Sequence, residues 1–252
     1  MTSSNEELQE QCERGQALLM ETRYWEAERT LAQAEAAAWE ARDWDTLSRL
    51  YMPLQEARRQ RRQRCGEGVV TLDLIAEGEG DTIEPQRIVA NYPHGQLLVA
   101  GWGSVAPAAG VRELARQHGL YVETFLAAVY PVGGGRAVVI VPTADVALPP
   151  VDEGASIDQL IRRLPAHSIV LGEGELPRGT RRGTTQTYAE VMAMWERLAA
   201  PFLAAADATT EPVAKASGYR QAIRVDYACE LAHQNLSHVA KEMDRQRRAV
   251  RG

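Results

Sequence analysis

A strand-like stretch, residues 69–171, lies between two segments that have the pattern of helices, and this order constrains the fold more than any single motif does. Residues 5–63 contain few helix breakers, and residues 187–248 show helical periodicity again. Helices on both sides of a strand-rich centre are typical of an α/β protein whose sheet is covered by helices. We therefore predict one compact α/β body with three parts, an N-terminal helical arm (1–66), a sheet core (67–185) and a C-terminal helical arm (186–252).

The centre contains segments rich in β-branched and apolar residues, separated by glycine, proline and acidic residues. Helical patterns at residues 107–117 and 157–163 interrupt them, which indicates at least one parallel crossover. The glycines at 133–135 join two of the segments and predict a hairpin. We predict a mixed sheet of about five strands, at residues 69–75, 96–100, 120–130, 136–141 and 168–171.

Both arms place a large aromatic residue three positions before an alanine. Tyr24-x-x-Ala27 and Tyr219-x-x-Ala222 each belong to a helix with small and large apolar residues in alternation. These patterns resemble tetratricopeptide hairpins, and the resemblance implies helices that interlock and bind other proteins. The family's usual glycine before the aromatic and a clean repeat are absent, so a short helical bundle is an equally good description.

The last helix of the C-terminal arm is expected to be long. Tyr227 stands where the tetratricopeptide family usually has a helix-ending proline, so we predict that the helix continues through this position. Two hairpins so far apart in the sequence cannot form a tandem array. We expect them to contact each other in space.

Positive charge is concentrated near the end of the N-terminal arm, although the formal net charge of the chain is −6. The negative total argues against a general nucleic-acid-binding protein. Two interpretations of the arginine-rich segment remain open: a solvated helix end, or a contact for an acidic partner protein. The segment contains Arg58, Arg59, Arg61, Arg62 and Arg64, and the first four are our candidate partner-binding residues.

A glycine motif follows the second predicted strand. Gly101-Trp-Gly103-Ser104 leads into the helical pattern at 107–117 and, with the next two residues, fits G-x-G-x-x-A. It resembles the Rossmann dinucleotide-binding fingerprint over about 30 residues, which implies that a phosphate approaches the backbone there. Pro107 indicates a later helix start than the family has, and Glu123 is out of register for the ribose-binding acid. An ordinary tight βα turn explains the same glycines.

A basic, glycine-rich loop follows the last predicted strand. If the second and fifth strands are parallel neighbours, this loop and the glycine motif share the sheet edge where open α/β sheets bind ligands. The alternative is a solvated surface loop. Candidate residues for binding a nucleotide or another phosphorylated small molecule are Gly101, Gly103, Ser104, Arg178, Arg181 and Arg182.

No catalytic or metal-binding motif stands out in the sequence. There is no nucleophile elbow, no phosphate-binding P-loop and no H-E-x-x-H. Glu230-x-x-His233 has the spacing of a di-iron half-site, but the chain has no second copy of that spacing. We interpret Asp226, Glu230, His233 and Ser237 as a solvated helix face, assign no catalytic or metal-binding residue, and expect no cofactor.

The expected location is the cytoplasm. Cys12, Cys65 and Cys229 do not form a paired-cysteine motif, which suits a reducing compartment. The N-terminal residues do not resemble a secretory signal, and no apolar run reaches the ~20 residues of a membrane span. We expect a soluble protein.

The leading hypothesis is a non-enzymatic interaction or assembly protein that presents helical surfaces on an α/β core and binds another protein. The alternative is an α/β protein, with or without catalytic activity, that binds a nucleotide or another phosphorylated small molecule. No membrane association is expected under either hypothesis.

Overall fold

In the computed structural model, which describes the backbone of residues 2–251 and the side chains of residues 6–249, the chain forms nine α-helices, a short 3₁₀-helix and a six-stranded mixed sheet. The predicted α/β class is confirmed. The helices are α1 (Thr2–Met20), α2 (Tyr24–Glu40), α3 (Trp44–Glu67), α4 (Pro85–Asn91), α5 (Ala106–His118), α6 (Ile157–Arg163), α7 (Thr185–Asp207), α8 (Pro212–Val225) and α9 (Glu230–Arg251). The strands are β1 (Val69–Ile75), β2 (His94–Trp102), β3 (Tyr121–Val132), β4 (Gly135–Ile140), β5 (Ile169–Gly172) and β6 (Arg181–Arg182).

The chain divides into two compact units. Residues up to Arg61, together with those from Ala199 onward, form the helical unit, and Arg62–Leu198 form the α/β unit. The α/β unit is therefore an insertion between two segments of the helical unit in the sequence. The predicted three-part division of one compact body stays a prediction.

The helical unit has one hydrophobic core to which both ends of the chain contribute. Buried residues of α1, α2 and α3 share it with buried residues of α8, α9 and the end of α7. Many of these residues are alanines, and small side chains allow helices to approach closely. The expected contact between the two arms is thereby confirmed.

The turns between the first three helices have a backbone conformation that most residues avoid. Thr22 and Arg42 have φ values of 60° and 50°, in the left-handed region. Asp43 then starts α3, because its Oδ1 accepts a hydrogen bond from the Thr46 backbone N–H at 3.2 Å.

The predicted continuation of the last helix through Tyr227 is wrong. Helix α8 ends at Val225, and Asp226 has an extended backbone with φ −124° and ψ 96°. Its Oδ1 accepts a hydrogen bond from the Ala228 backbone N–H at 3.1 Å, which favours a turn over the next helical hydrogen bond. Helix α9 is therefore a separate helix, which begins at Glu230.

The sheet has the strand order β5-β4-β3-β2-β1-β6. Strands β1, β2 and β3 are parallel, with α4 and α5 in the crossovers, whereas β4, β5 and β6 are antiparallel to their neighbours. The predicted hairpin is confirmed: Val132 pairs with Gly135, and Gly134 adopts φ 97°. The sequence analysis missed α4 and the two-residue β6.

The α/β unit buries both faces of its sheet. Even-numbered residues of β3, such as Val122 and Leu126, pack with α5 and α6 in one hydrophobic core. On the other face, Phe125 stacks on Trp195 of α7 with ring centroids 4.2 Å apart. Burial on both faces explains why β2 and β3 are almost continuously apolar.

Among residues 2–251, no helix is both long and apolar enough to cross a lipid bilayer.

Candidate functional site: an arginine cluster in the helical unit

The arginine-rich segment at the end of α3 does not act as one surface. Arg59 and Arg64 form exposed ion pairs with acids three residues away on the same helix, Glu56 and Glu67. These two fit the solvated-helix interpretation. The other three arginines are directed towards carboxylates on other elements.

Arg58 and Arg61 share one carboxylate in the helical unit, that of Glu28 on α2. Arg58 Nε donates to Glu28 Oε1 at 3.1 Å, and Arg61 Nη1 donates to Glu28 Oε2. The two arginines are three positions apart on α3, so they lie on the same helix face. The three side chains remain 12–14 % exposed, which places the cluster just below the surface.

Aromatic rings hold the Arg61 guanidinium. Its central carbon lies 3.3 Å from the centre of the Trp25 ring and 4.9 Å from that of Tyr227, within the range of cation–π attraction. Two N–H donors of this stack, Arg61 Nε and Trp25 Nε1, are buried and have no acceptor within the described protein. A buried donor without an acceptor costs about 1–3 kcal/mol, so an acceptor from outside the chain would stabilise the stack.

His233 of α9 holds the Arg58 guanidinium. His233 Nδ1 lies 2.7 Å from the Cys229 carbonyl oxygen and must donate to it, which leaves Nε2 to accept from Arg58 Nη1 at 3.1 Å. Burial lowers the pKa of His233 to about 3, and the positive charge of Arg58 contributes to the decrease. The imidazole is therefore neutral at physiological pH.

The interpretation of Asp226, Glu230, His233 and Ser237 as a solvated face is therefore wrong. Asp226 and His233 are fully buried, and Ser237 Oγ donates to the Ser48 carbonyl oxygen at 2.6 Å. Glu230 is exposed. His233 and Ser237 face the neighbouring helix α3, where they contact Arg58 and the backbone of Ser48.

A second carboxylate of the helical unit lies near Arg58. Glu35 accepts hydrogen bonds from the Tyr51 hydroxyl at 3.0 Å and from Arg220, whose Nε lies 2.9 Å away. Asp226 adds negative charge near Arg58. The charges of three guanidinium groups and three carboxylates thus balance. We call this set and the side chains that contact it the arginine cluster, which consists of Trp25, Glu28, Glu35, Tyr51, Arg58, Arg61, Arg220, Asp226, Tyr227 and His233.

Arg62 belongs to the α/β unit and has a different environment. Its Nε and Nη2 donate to Glu123 Oε1 at 3.0 and 2.7 Å, and the side chains are only 1 % and 6 % exposed. Gln96 Nε2 also reaches Glu123, at 3.4 Å. The predicted role of Arg62 in partner binding stays a prediction, and it requires this pair to open.

The glycine motif after β2 is packed by the chain's own atoms. A Cβ on Gly101 would lie 2.8 Å from Pro107 Cγ, and a Cβ on Gly103, which has φ 57°, would lie 2.5 Å from Val151 Cγ2. Ser104 Oγ accepts a hydrogen bond from the Ala106 backbone N–H at 3.2 Å, at the start of α5. These contacts suit the interpretation as a tight βα turn.

The two loops proposed to bind a phosphate do not share a sheet edge. The condition for a shared edge, that the second and fifth strands are neighbours, is not met, because β5 pairs with β4, and β4 and β3 separate it from β2. Arg181 and Arg182 pair with Val70 and Val69 at the start of β1, whereas the glycine motif follows the opposite end of β2. The hydrogen bond from Arg136 lowers the pKa of Glu173, and the positive charge of nearby Arg178 contributes to the decrease. Ligand binding at these residues stays a prediction.

No protein-family model, curated protein or solved structure matches this chain. Among the described side chains, no three His, Cys, Asp or Glu residues gather closely enough to hold a metal ion. Sequence reasoning missed Trp25, Glu28 and His233 as members of the cluster. One signal was present: Trp25 and Glu28 are spaced i, i+3, beside the buried stripe Tyr24, Ala27 and Leu31 of α2.

Proposed function

We propose that this protein is an interaction or assembly protein that binds a partner protein through its helical unit. The observation that carries the proposal is the partly exposed stack of Arg61 on Trp25 and Tyr227, with Arg58 beside it. Tryptophan, tyrosine and arginine are the residues that dominate the binding energy of protein interfaces. The two buried N–H donors of the stack favour a partner that supplies acceptor atoms.

The architecture of the helical unit gives further support. Helix α1 packs against α2 and helix α8 packs against α9, an arrangement that is compatible with the helical hairpins that the tetratricopeptide resemblance implies. This support is an analogy of fold, which by itself does not determine function.

We also propose that the protein works in the cytoplasm. Cys12, Cys65 and Cys229 form no disulfide bond within the described part of the chain, which suits a reducing compartment. Fractionation of the source cells with an antibody to the protein tests this, and recovery from a secreted or membrane fraction would contradict it.

Affinity capture from the source cells followed by reconstitution tests the interaction. The proposal expects a captured protein that forms a stable complex with the purified chain and loses at least tenfold in affinity, about 1.4 kcal/mol, against the variant Trp25→Ala. Arg49→Gln, on the same helix as Arg61 but exposed and paired with Asp45, is the matched control and should bind normally. Failure to reconstitute any binary complex would overturn the proposal.

A further inference from the structure

We propose that Glu28 is an internal competitor: its carboxylate occupies Arg58 and Arg61, which bind a carboxylate of an acidic segment of the partner when Glu28 is displaced. This inference rests on the proposed function and names the chemistry that the partner must present. Two guanidinium groups converge on this one side chain.

The arginines are held in place by groups other than Glu28. Arg61 is fixed by the rings of Trp25 and Tyr227, and Arg58 is fixed by His233 Nε2. Removal of the Glu28 carboxylate therefore leaves both guanidinium groups positioned for another carboxylate. A site that is already ordered binds without the entropic cost of ordering its side chains.

Glu28 and its two arginines are also accessible, in contrast with the Arg62–Glu123 pair. Glu28, Arg58 and Arg61 keep 12–14 % of their side-chain surface exposed, whereas Arg62 keeps 1 %. A carboxylate near solvent regains hydration when it leaves its arginines, so its displacement costs less than opening a fully buried pair.

Glu28 does not satisfy all the donors of the site. Arg61 Nε and Trp25 Nε1 are buried without an acceptor in the described protein. A peptide segment brings carbonyl and carboxylate oxygens together and can supply acceptors beyond the one carboxylate that it replaces.

The neighbouring acids limit the strength of this site. Glu35 is bound to Arg220 and Tyr51, and Asp226 adds negative charge near Arg58. The entering acid must therefore replace Glu28, because the cluster has no excess positive charge to attract a second anion. We expect the unsubstituted protein to bind acidic peptides weakly and with a marked dependence on salt.

Fluorescence anisotropy with a labelled hexaglutamate peptide tests the inference, with hexaglutamine as the uncharged control. Glu28→Gln, which keeps the size of the side chain and removes its charge, should bind hexaglutamate about tenfold more tightly than the unsubstituted protein does. Adding Arg61→Gln to that variant should abolish the gain, whereas adding Arg49→Gln, at an exposed arginine of the same helix, should preserve it. A merely structural Glu28 would lower stability without increasing peptide affinity.

Equal hexaglutamate affinity of the unsubstituted protein and Glu28→Gln would overturn the inference, and so would a gain that survives Arg61→Gln. If circular dichroism shows that Glu28→Gln does not fold, Arg61→Gln in the otherwise unsubstituted chain decides: about tenfold weaker peptide binding is expected, and unchanged binding overturns the inference. A reconstituted partner complex that tolerates Arg58→Gln with Arg61→Gln would refute this inference while the interaction function stands. Absence of any partner complex would refute that function whatever the peptide result.

Discussion

Arg61 and Arg62 are neighbours in the sequence, but the carboxylates that they bind lie in different environments. In the helical unit, Arg61 shares Glu28 with Arg58, and all three side chains reach the surface. In the α/β unit, Arg62 pairs with Glu123 where both side chains are almost completely shielded from solvent. A run of arginines is therefore not one functional surface. The residues opposite each guanidinium decide whether it stabilises the fold or remains available for binding.

The glycine motif extends this comparison to packing. Pro107 and Val151 fill the space beside Gly101 and Gly103, as Glu123 fills the space beside Arg62. Gly101, Gly103 and Arg62 are thus surrounded by atoms of the α/β unit itself. Buried N–H donors that lack an acceptor within the described residues occur in both units, at Trp25 and Arg61 in the helical unit and at Arg181 and Trp195 in the α/β unit. In the helical unit they lie beside the partly exposed Glu28, Arg58 and Arg61.

The largest effect is expected from Arg62→Met. This substitution leaves Glu123 buried without its partner, and breaking a buried ion pair in this way costs about 3–5 kcal/mol. Urea denaturation followed by circular dichroism measures the loss, and amide hydrogen exchange should show lower protection in β2 and β3. The double variant Arg62→Met with Glu123→Leu should recover most of the stability, because it removes both charges. A loss below about 1 kcal/mol in the free energy of unfolding of Arg62→Met would show that solvent reaches the Arg62–Glu123 pair as readily as it reaches Glu28 and its two arginines.

Gly103→Ala is expected to destabilise the α/β unit by about 2–3 kcal/mol, because alanine disfavours φ 57° and its Cβ would lie 2.5 Å from Val151. Thermal unfolding measures the effect. Gly133→Ala is the matched control, since a Cβ there meets no atom within 4 Å. If Gly103→Ala is as stable as the control, the loop is adaptable enough to admit a ligand, and the contrast with the helical unit weakens.

The sequence predicted the fold class and the strands β1 to β5 because their signals are local, but it did not predict the two-residue β6. Alternating β-branched residues gave β1, and the triple glycine gave the β3–β4 hairpin. The order of the strands depends on contacts between distant segments, so one sequence could not determine whether β5 lies beside β2. The burial of His233 was missed for a related reason. Its face is set by the break at Asp226, a single side-chain hydrogen bond that periodicity does not reveal.

The pH dependence of the free energy of unfolding tests the burial of His233 in the helical unit. Histidine in an unfolded chain takes up a proton near pH 6.5, whereas burial holds the pKa of His233 in the folded protein to about 3. Below pH 6.5 the unfolded state therefore binds more protons, and the free energy of unfolding falls by up to about 1.4 kcal/mol per pH unit as pH decreases. Between pH 7 and pH 5 the unsubstituted protein should therefore lose about 2 kcal/mol in its free energy of unfolding. The His233→Gln variant should not show this loss.

Urea denaturation at several pH values measures this difference, with His238→Gln as the control. His238 lies on the same helix and is exposed. It forms an ion pair with Glu242, one turn away. Its variant should keep the pH dependence of the unsubstituted protein. Equal slopes for His233→Gln and His238→Gln would mean that solvent reaches the arginine cluster more freely than its packing indicates.

The smallest expected effect is the difference in the free energy of unfolding between Arg61→Gln and Arg59→Gln. Arg61→Gln removes a charged hydrogen bond and a cation–π contact from a partly exposed site, so we expect a loss of about 1 kcal/mol in the free energy of unfolding. Arg59→Gln removes an exposed pair with Glu56 and should cost less than about 0.5 kcal/mol. Urea midpoints of the two variants provide the comparison. A cost for Arg61→Gln as large as that of Arg62→Met would assign both arginines to stability, and Glu28 would then be a structural partner that no acidic ligand displaces.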